Sequence, residues 1–396
     1  MVVEKDCLYI GYDKINEETC ELISSNGSTL RSYSSIFVGM KSYLKDRFKL
    51  RSIENIPLDK PYIYPLTLFE CNESMHRTDE KVVIPVRVLD DIHKKRCVVL
   101  IDFASEGLED SLLGGEIEEF MLKLCNEYNI EHTSMVYLDG NHAKNRNTSF
   151  KYFSYNTWDK CNTGLGDEET DSIITSIESK THRDFKISCF NRTGKSFRAY
   201  LGYSLADMVK NDDVIFTMSD LVKGLDHRKF GYTLNDSRYK EFVESLPWEY
   251  DVKNTPLHNI LEINKPVHSN TYVHITTESQ FDKSVFFTEK TFKPIIMVQP
   301  FIMVASPGTL SGLRSFGYET FPEMFDESYD EIENPQNRLD HIVNEIRKIY
   351  SYSKQELSNK LYEVLPKLIH NAKLHKTISA DAENLYTLLK RGIYNE

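Results

Sequence analysis

CVVLIDF (97–103), GGEIEEFMLKLCNEYNI (114–130) and SMVYLDGN (134–141) together decide the fold. The first run is apolar throughout except at Asp102. Such a run reads as a strand covered on both faces, as in a parallel sheet flanked by helices. In the second stretch Ile117, Phe120, Met121, Leu124 and Tyr128 recur at helical spacing, with glutamates opposite. The third reads as another strand closed by a turn. Strand, helix, strand with short links predicts a parallel α/β sheet.

The second half repeats the pattern. FKISCF (185–190), DVIFTMS (213–219), TYVHITTES (271–279) and PFIMVAS (300–306) read as strands. KSFRAYLGYSLADMVK (195–210) reads as a helix, and FFTEKTFKPIIM (286–297) as a shorter one opening at Thr288. NRLDHIVNEIRKIY (337–350) and SKQELSNKLYEVLPKLI (353–369) form a helical tail, the second opening on a Ser353/Glu356 capping box. Residues 156–182 are polar and glycine-containing, and read as a linker or long loop. The expected organisation is two Rossmann-like domains facing a cleft, 1–170 and 171–350. C-terminal helices over 351–396 are expected to pack back on the first domain. Ligands of such sheets bind beyond the carboxyl ends of the strands. Attention therefore falls on Asp102 to Gly107, Asn141, Asn191 to Arg198, Thr277 to Lys293 and Ser306 to Thr309.

Composition bounds the rest. The 396 residues are 40% hydrophobic and 27% charged, enough apolar material for two cores of a soluble protein. The net charge of -12 disfavours general binding to a phosphate backbone. The seven cysteines are scattered without a close pair, and Cys97 and Cys189 sit inside apolar runs, so they read as reduced core thiols. The start, MVVEKDCLYIGYDK, lacks the apolar run of a signal peptide, and no later stretch suits a membrane span. The expected location is the cytoplasm, the host's if the source is viral.

Thr288 is a good N-cap, and Glu289 and Lys290 fall in the turn it opens. Lys290 and Lys293 oppose the helix dipole unless an anion joins them there, as a diphosphate would. Glu289 can accept hydrogen bonds from a ribose diol; the bland reading of this group is a solvated helix start. Arg192, Lys195 and Arg198 crowd a strand-to-helix turn around Gly194, either a second phosphate site or an exposed basic turn. Asp102 and Glu106 can act as a general base at a cleft edge, or cap the next helix. The acidic run Asp326, Glu327, Asp330, Glu331 and Glu333 does not match an EF-hand loop and reads as caps rather than a metal site.

TEKTFKPI (288–295), FNRTGKSFRAYL (190–201) and QPFIMVASPGTLSGLRSFGYETFPEMFDESYDEI (299–332) resemble phage, giant-virus and bacterial glycosyltransferase-like proteins. The C-terminal halves of that group look like those of the bacterial and animal fucosyltransferases, which have the two-domain GT-B fold. The resemblance covers roughly residues 185–350. It implies that Phe286 is an aromatic donor contact, that Glu289 holds the ribose and that Lys290 meets the diphosphate. It implies a diphosphate-binding arginine, Arg192 or Arg198, and a polar donor contact at Glu278. Phenylalanine stands at 286 where tyrosine is usual, so that position lacks a hydroxyl. The implied general base is Glu106, with Asp102 second.

The implied reaction is an inverting displacement at the anomeric carbon, with Arg192, Arg198, Lys290 and the helix end stabilising the leaving diphosphate. No D-x-D triplet occurs, which favours a metal-independent hexosyl- or pentosyltransferase with a nucleotide-diphosphate sugar as co-substrate and no other cofactor. The acceptor is a carbohydrate or, in a phage setting, a hydroxymethylated base in DNA. For the latter, HKKR (93–96) and KLIHNAKLHK (367–376) are candidate basic patches. The competing class is a non-catalytic nucleotide-sugar or glycan-binding protein of the same fold.

Overall fold

The computed structural model describes residues 8–12, 48–67, 84–103, 115–142, 148–156, 158, 164–192, 194–219, 236–249, 263–282, 284–380, 386–387 and 389–391. The chain divides into two compact units, one formed by Met1–Cys161 with Ser379–Glu396, the other by Asn162–Ile378.

The first unit holds a six-stranded parallel sheet ordered β2-β1-β3-β4-β5-β6. Its strands are β1 (Leu8–Tyr12), β2 (Phe48–Ser52), β3 (Tyr62–Thr67), β4 (Cys97–Phe103), β5 (Met135–Asp139) and β6 (Lys151–Ser154). Its helices are α1 (Val86–His93) and α2 (Gly115–Tyr128). The unbroken apolar run of β4 is explained by the two cores it serves. Cys97, Val99, Ile101 and Phe103 join one core, with Val88 and Ile92 of α1 and Ile117, Phe120, Met121 and Leu124 of α2. Val98 and Leu100 point the other way, into a core with Leu8, Ile10, Ile63, Val136 and Leu138 that Tyr386 and Leu389 complete. Strand side chains alternate, so a strand apolar on both faces must be covered on both.

The second unit holds a four-stranded parallel sheet ordered β10-β9-β7-β8. The strands are β7 (Phe185–Asn191), β8 (Val214–Met218), β9 (Thr271–Thr277) and β10 (Phe301–Val304). Its helices are α3 (Asp167–Glu178), α4 (Ser196–Val209), α5 (Asp236–Glu244), α6 (Lys265–Ser269), α7 (Glu289–Ile296), α8 (Thr309–Ser315), α9 (Pro335–Ser351), α10 (Lys354–Glu363) and α11 (Leu365–Ala380). The protein is thus an α/β chain built on two parallel sheets.

Three readings from sequence need correction. The stretch 156–182 is not a plain loop, because α3 occupies 167–178 with Asp167, Glu168 and Glu169 in its first turn. Only Ile177 of this helix is buried, so it carries little of the apolar stripe that marks a helix. The division falls after Cys161 rather than at 170, and the helices over 354–378 belong to the second unit; only Ser379–Glu396 joins the first. Two members of the acidic run act as caps: Asp330 accepts from the backbone amides of Leu310 and Ser311 at 2.9 Å each, and Asp326 from that of Ser328 at 3.0 Å. The cysteine reading agrees where it can be followed, since Cys97, Cys125 and Cys189 are free and buried, while Cys7, Cys20, Cys71 and Cys161 lie outside the described residues.

A buried histidine pair lies inside the second unit. His268 of α6 bonds Gln299 at 2.7 Å, His274 of β9 bonds Ser188 at 2.9 Å, and the two rings lie 4.8 Å apart. Burial lowers the pKa of His268 to about 4 despite the Gln299 bond, and the Lys293 charge acts in the same direction. Burial lowers His274 well below its ordinary value, with His268 and Lys293 adding to it. Both rings are therefore neutral in the fold near neutral pH. The unfolded chain takes up protons below pH about 6.5, so this contribution to stability is complete above that pH. It is lost as pH falls toward the folded-state values. The expected loss at pH 5 is about 2 kcal/mol for His268, and His274 adds to it in the same direction. Urea midpoints at pH 7, 6 and 5 check this, and His268→Gln should flatten the slope.

Candidate functional site

The carboxyl edge of the second sheet gathers most of the charged residues singled out from sequence. It is built around the turn that follows β9, Glu278 to Phe281. Glu278 is fully buried, and four donors converge on its carboxylate. They are the Ser279 amide (3.0 Å), the Thr288 amide (2.9 Å), the Thr288 hydroxyl (2.7 Å) and the Thr291 hydroxyl (2.5 Å). Thr288 caps α7, its Oγ1 accepting from the Lys290 amide at 3.3 Å. Glu278 thus ties the start of α7 to the end of β9.

Three cations surround the same turn. Arg198, in the first turn of α4, donates through Nη2 to the carbonyls of Thr277 and Glu278 at 2.9 Å each. Burial lowers its pKa, while the charges of Glu278, Cys189 and Glu289 act in the opposite direction. Lys195, the N-cap residue of α4, donates to the Ser279 carbonyl at 2.5 Å. Lys290 donates to the Thr288 hydroxyl at 3.0 Å and the Ser279 hydroxyl at 3.4 Å, and its Nζ lies 3.3 Å from Glu289 Oε1. The starts of two helices and three cations thus meet two carboxylates, an excess of positive charge at one sheet edge.

Exposure separates the roles. The Arg198 guanidinium is only 3% exposed and spent on backbone carbonyls, so it positions the turn. Arg192, just past β7, is exposed, and its carbonyl accepts from the Ser219 hydroxyl. Lys195 and Lys290 are half-buried, and each holds partners that a phosphate oxygen can replace. Of the two arginines left open by the sequence, Arg192 is presented to solvent and Arg198 is buried against backbone carbonyls.

Other expectations fare differently. Phe286 is buried, at 3% exposure, so its ring offers no open face. Glu289 is nearly buried beside Lys290. Lys293 acts on the His268 and His274 pair, one turn further along α7. Asp102 does not follow its strand but lies within it, paired in register with Thr67 and Leu138 and fully buried. An acceptor in solvent cannot reach it there. Glu106 lies outside the described residues. The basic stretches are mixed: Lys94, Lys95 and Lys373 are exposed, while others are engaged in the fold. Arg96 meets Asp91 at 3.3 Å, Lys367 meets Glu323 at 2.7 Å, Lys376 meets Asp167 at 2.5 Å, and His375 is buried.

Sequence reasoning missed Ser279 and Thr291. The signal available was the Thr288/Thr291 spacing, which puts two hydroxyls on one face of the first helical turn. It also missed an arrangement at the carboxyl edge of the first sheet, where the hydroxyl of Ser154, ending β6, lies 2.6 Å from His142 Nδ1. Burial lowers the His142 pKa to about 4.

The second-unit edge thus gathers Arg192, Lys195 and Lys290 beyond the carboxyl ends of its strands, the place where parallel α/β sheets bind ligands. No family model matches the chain, and no curated protein matches it. Among solved structures, a crystal structure of an alpha1,3-fucosyltransferase with GDP is similar at 10% sequence identity with a TM-score of 0.44, covering 100% of this chain and 93% of that one. No helix among the described residues is long and apolar enough to cross a membrane.

Proposed function

We propose that the protein is a glycosyltransferase that moves a hexose or pentose from a nucleotide-diphosphate sugar to a carbohydrate hydroxyl, without a metal and with inversion. The observation that carries this reading is the convergence of Lys195 and Lys290 on Ser279 at two helix starts. The resemblance of residues 185–350 to glycosyltransferase-like proteins supports it. Arg192, Lys195 and Lys290 bind the diphosphate, Glu289 meets the ribose, and Arg198 and Glu278 hold the turn that places them. The acceptor oxygen attacks the anomeric carbon as the bond from that carbon to the diphosphate oxygen breaks. The acceptor proton passes to a carboxylate, for which Glu106 is carried forward because Asp102 is buried. The departing charge is stabilised by the cations already in place.

Thermal shifts with UDP, GDP, CDP, ADP and dTDP test the site. A ligand bound by the native state alone raises the melting temperature by mass action. One diphosphate should raise that of the wild type, and Lys290→Ala should weaken its binding at least about tenfold, roughly 1.4 kcal/mol. No response to any of the five sinks the proposal. Glu106→Gln should keep nucleotide binding and lose sugar transfer. Binding without turnover in the wild type, across a panel of glycans, would establish the non-catalytic binding protein instead. The net charge of -12 favours a carbohydrate over DNA. Salt-dependent binding to duplex DNA would reverse that preference.

A further inference from the structure

We propose that Asp326, His341 and Glu345 form a site for a divalent transition ion of the zinc class, separate from the nucleotide chemistry. One ligand atom from each residue lies within 4.8 Å of the others. His341 and Glu345 are four residues apart on α9, and so share a face. Asp326 comes from the segment that leads into that helix.

The geometry is close to what an ion requires. Zinc binds nitrogen and oxygen ligands tetrahedrally at about 2.0–2.2 Å, so two ligands of one ion lie about 3.5 Å apart. Side-chain rotation must close the longer edges of the triangle by about an ångström. His341 Nε2 already lies 3.3 Å from Asp326 Oδ2. The other Asp326 oxygen is occupied by the Ser328 amide, so the one facing His341 is available. Glu345 is nearly buried, and its Oε2 accepts from the Asp326 amide at 2.9 Å, which fixes the loop against the helix. Two of the three ligands are thus held in place by bonds that do not need the ion.

The opposing charge is Lys348, whose Nζ lies 3.2 Å from Glu345 Oε2 and 3.4 Å from Oε1 and must turn away for the carboxylate to take an ion. Its side chain is 48% exposed and free to turn into water as an ion arrives. Asp326 and Lys348 line a cavity of about 1050 Å³, in which acidic side chains, Glu323, Glu327 and Glu331 among them, outnumber basic ones. That lining attracts cations and offers a route in. A histidine beside two carboxylates selects zinc-class ions over magnesium or calcium, which prefer oxygen ligands alone. Three protein ligands leave a position for water. The ion clasps the segment before α9 to the middle of that helix.

Cobalt(II) and zinc titrations of the full chain, stripped with a chelator, test the site without any assay of transfer. One equivalent of cobalt should give visible d–d bands without thiolate charge transfer, and zinc should displace it. Zinc, and not magnesium, should raise the melting temperature. His341→Gln and Glu345→Gln should each weaken zinc binding at least about tenfold, with far-UV circular dichroism confirming the fold. Asp326→Asn, at a half-exposed position, serves if either of those fails to fold. Absence of a saturable equivalent, unchanged affinity in a folded variant, or thiolate bands pointing to cysteine ligands would each overturn the proposal.

Discussion

Glu278→Ala should cost the second unit about 3–5 kcal/mol, the range seen when one member of a buried charged network is removed. The substitution strands two backbone amides and two hydroxyls in a dry site, and withdraws a compensating charge from Arg198. Each stranded donor carries its own desolvation cost. Glu278→Gln keeps one acceptor oxygen, and the Thr288 hydroxyl can accept from the new amide, so its loss should be clearly smaller. The chain has two tryptophans, and Trp248 packs edge-on against Phe216 and Phe242 of the second unit. In a Trp158→Phe background its fluorescence reports that unit alone, which avoids treating a two-unit chain as a single transition. A loss below about 1 kcal/mol for Glu278→Ala would mean that the four bonds are not what anchors α7.

Arg338→Met should cost at least about 4 kcal/mol, taking roughly 1 kcal/mol for each carbonyl deprived of its donor. The guanidinium is 1% exposed and lies over the Phe281 ring, 4.3 Å from its centroid. It donates to the carbonyls of Ala305 (3.2 Å), Ile332 (2.7 Å), Glu333 (3.1 Å) and Phe281. One side chain of α9 thus gathers the turn after β9, the end of β10 and the turn leading into the helix. Methionine fills the volume but donates nothing. Arg338→Lys should recover part of the loss, because an ammonium has three protons and no planar fork. Equal losses for lysine and methionine would show that the fork, rather than the charge, supplies the stability. The Trp248 signal again gives the measurement.

β4, β5 and β7 to β10 were legible from their apolar runs, as at 97–103, while β1, β2, β3 and β6 went unread; FKLRS (48–52) and KYFS (151–154) carry no such run. The start of α7 was legible from Thr288 because a cap acts on the amides beside it. Relations across long stretches of sequence were not legible. Arg192 and Arg198 look alike in a basic turn, and what separates them is a pair of carbonyls about 80 residues away, at Thr277 and Glu278. Glu278 reads as a ligand contact until the threonines ten and thirteen positions later fold back on it. The burial of Asp102 follows from the pairing of β4 with both β3 and β5. α3 escaped notice because a helix that buries one side chain leaves almost no periodic trace.

The return of Ser379–Glu396 to the first unit has a consequence for how the protein is made. The second unit is one uninterrupted stretch of chain, Asn162–Ile378, so all its parts are available before synthesis ends. The first unit begins earlier and finishes later. Tyr386 and Leu389 join the core on one face of its sheet, so that core lacks these two side chains while the whole of the second unit emerges from the ribosome. The domain synthesised first is therefore the last to be completed, and during that interval it is the part of the nascent chain that most needs protection from aggregation.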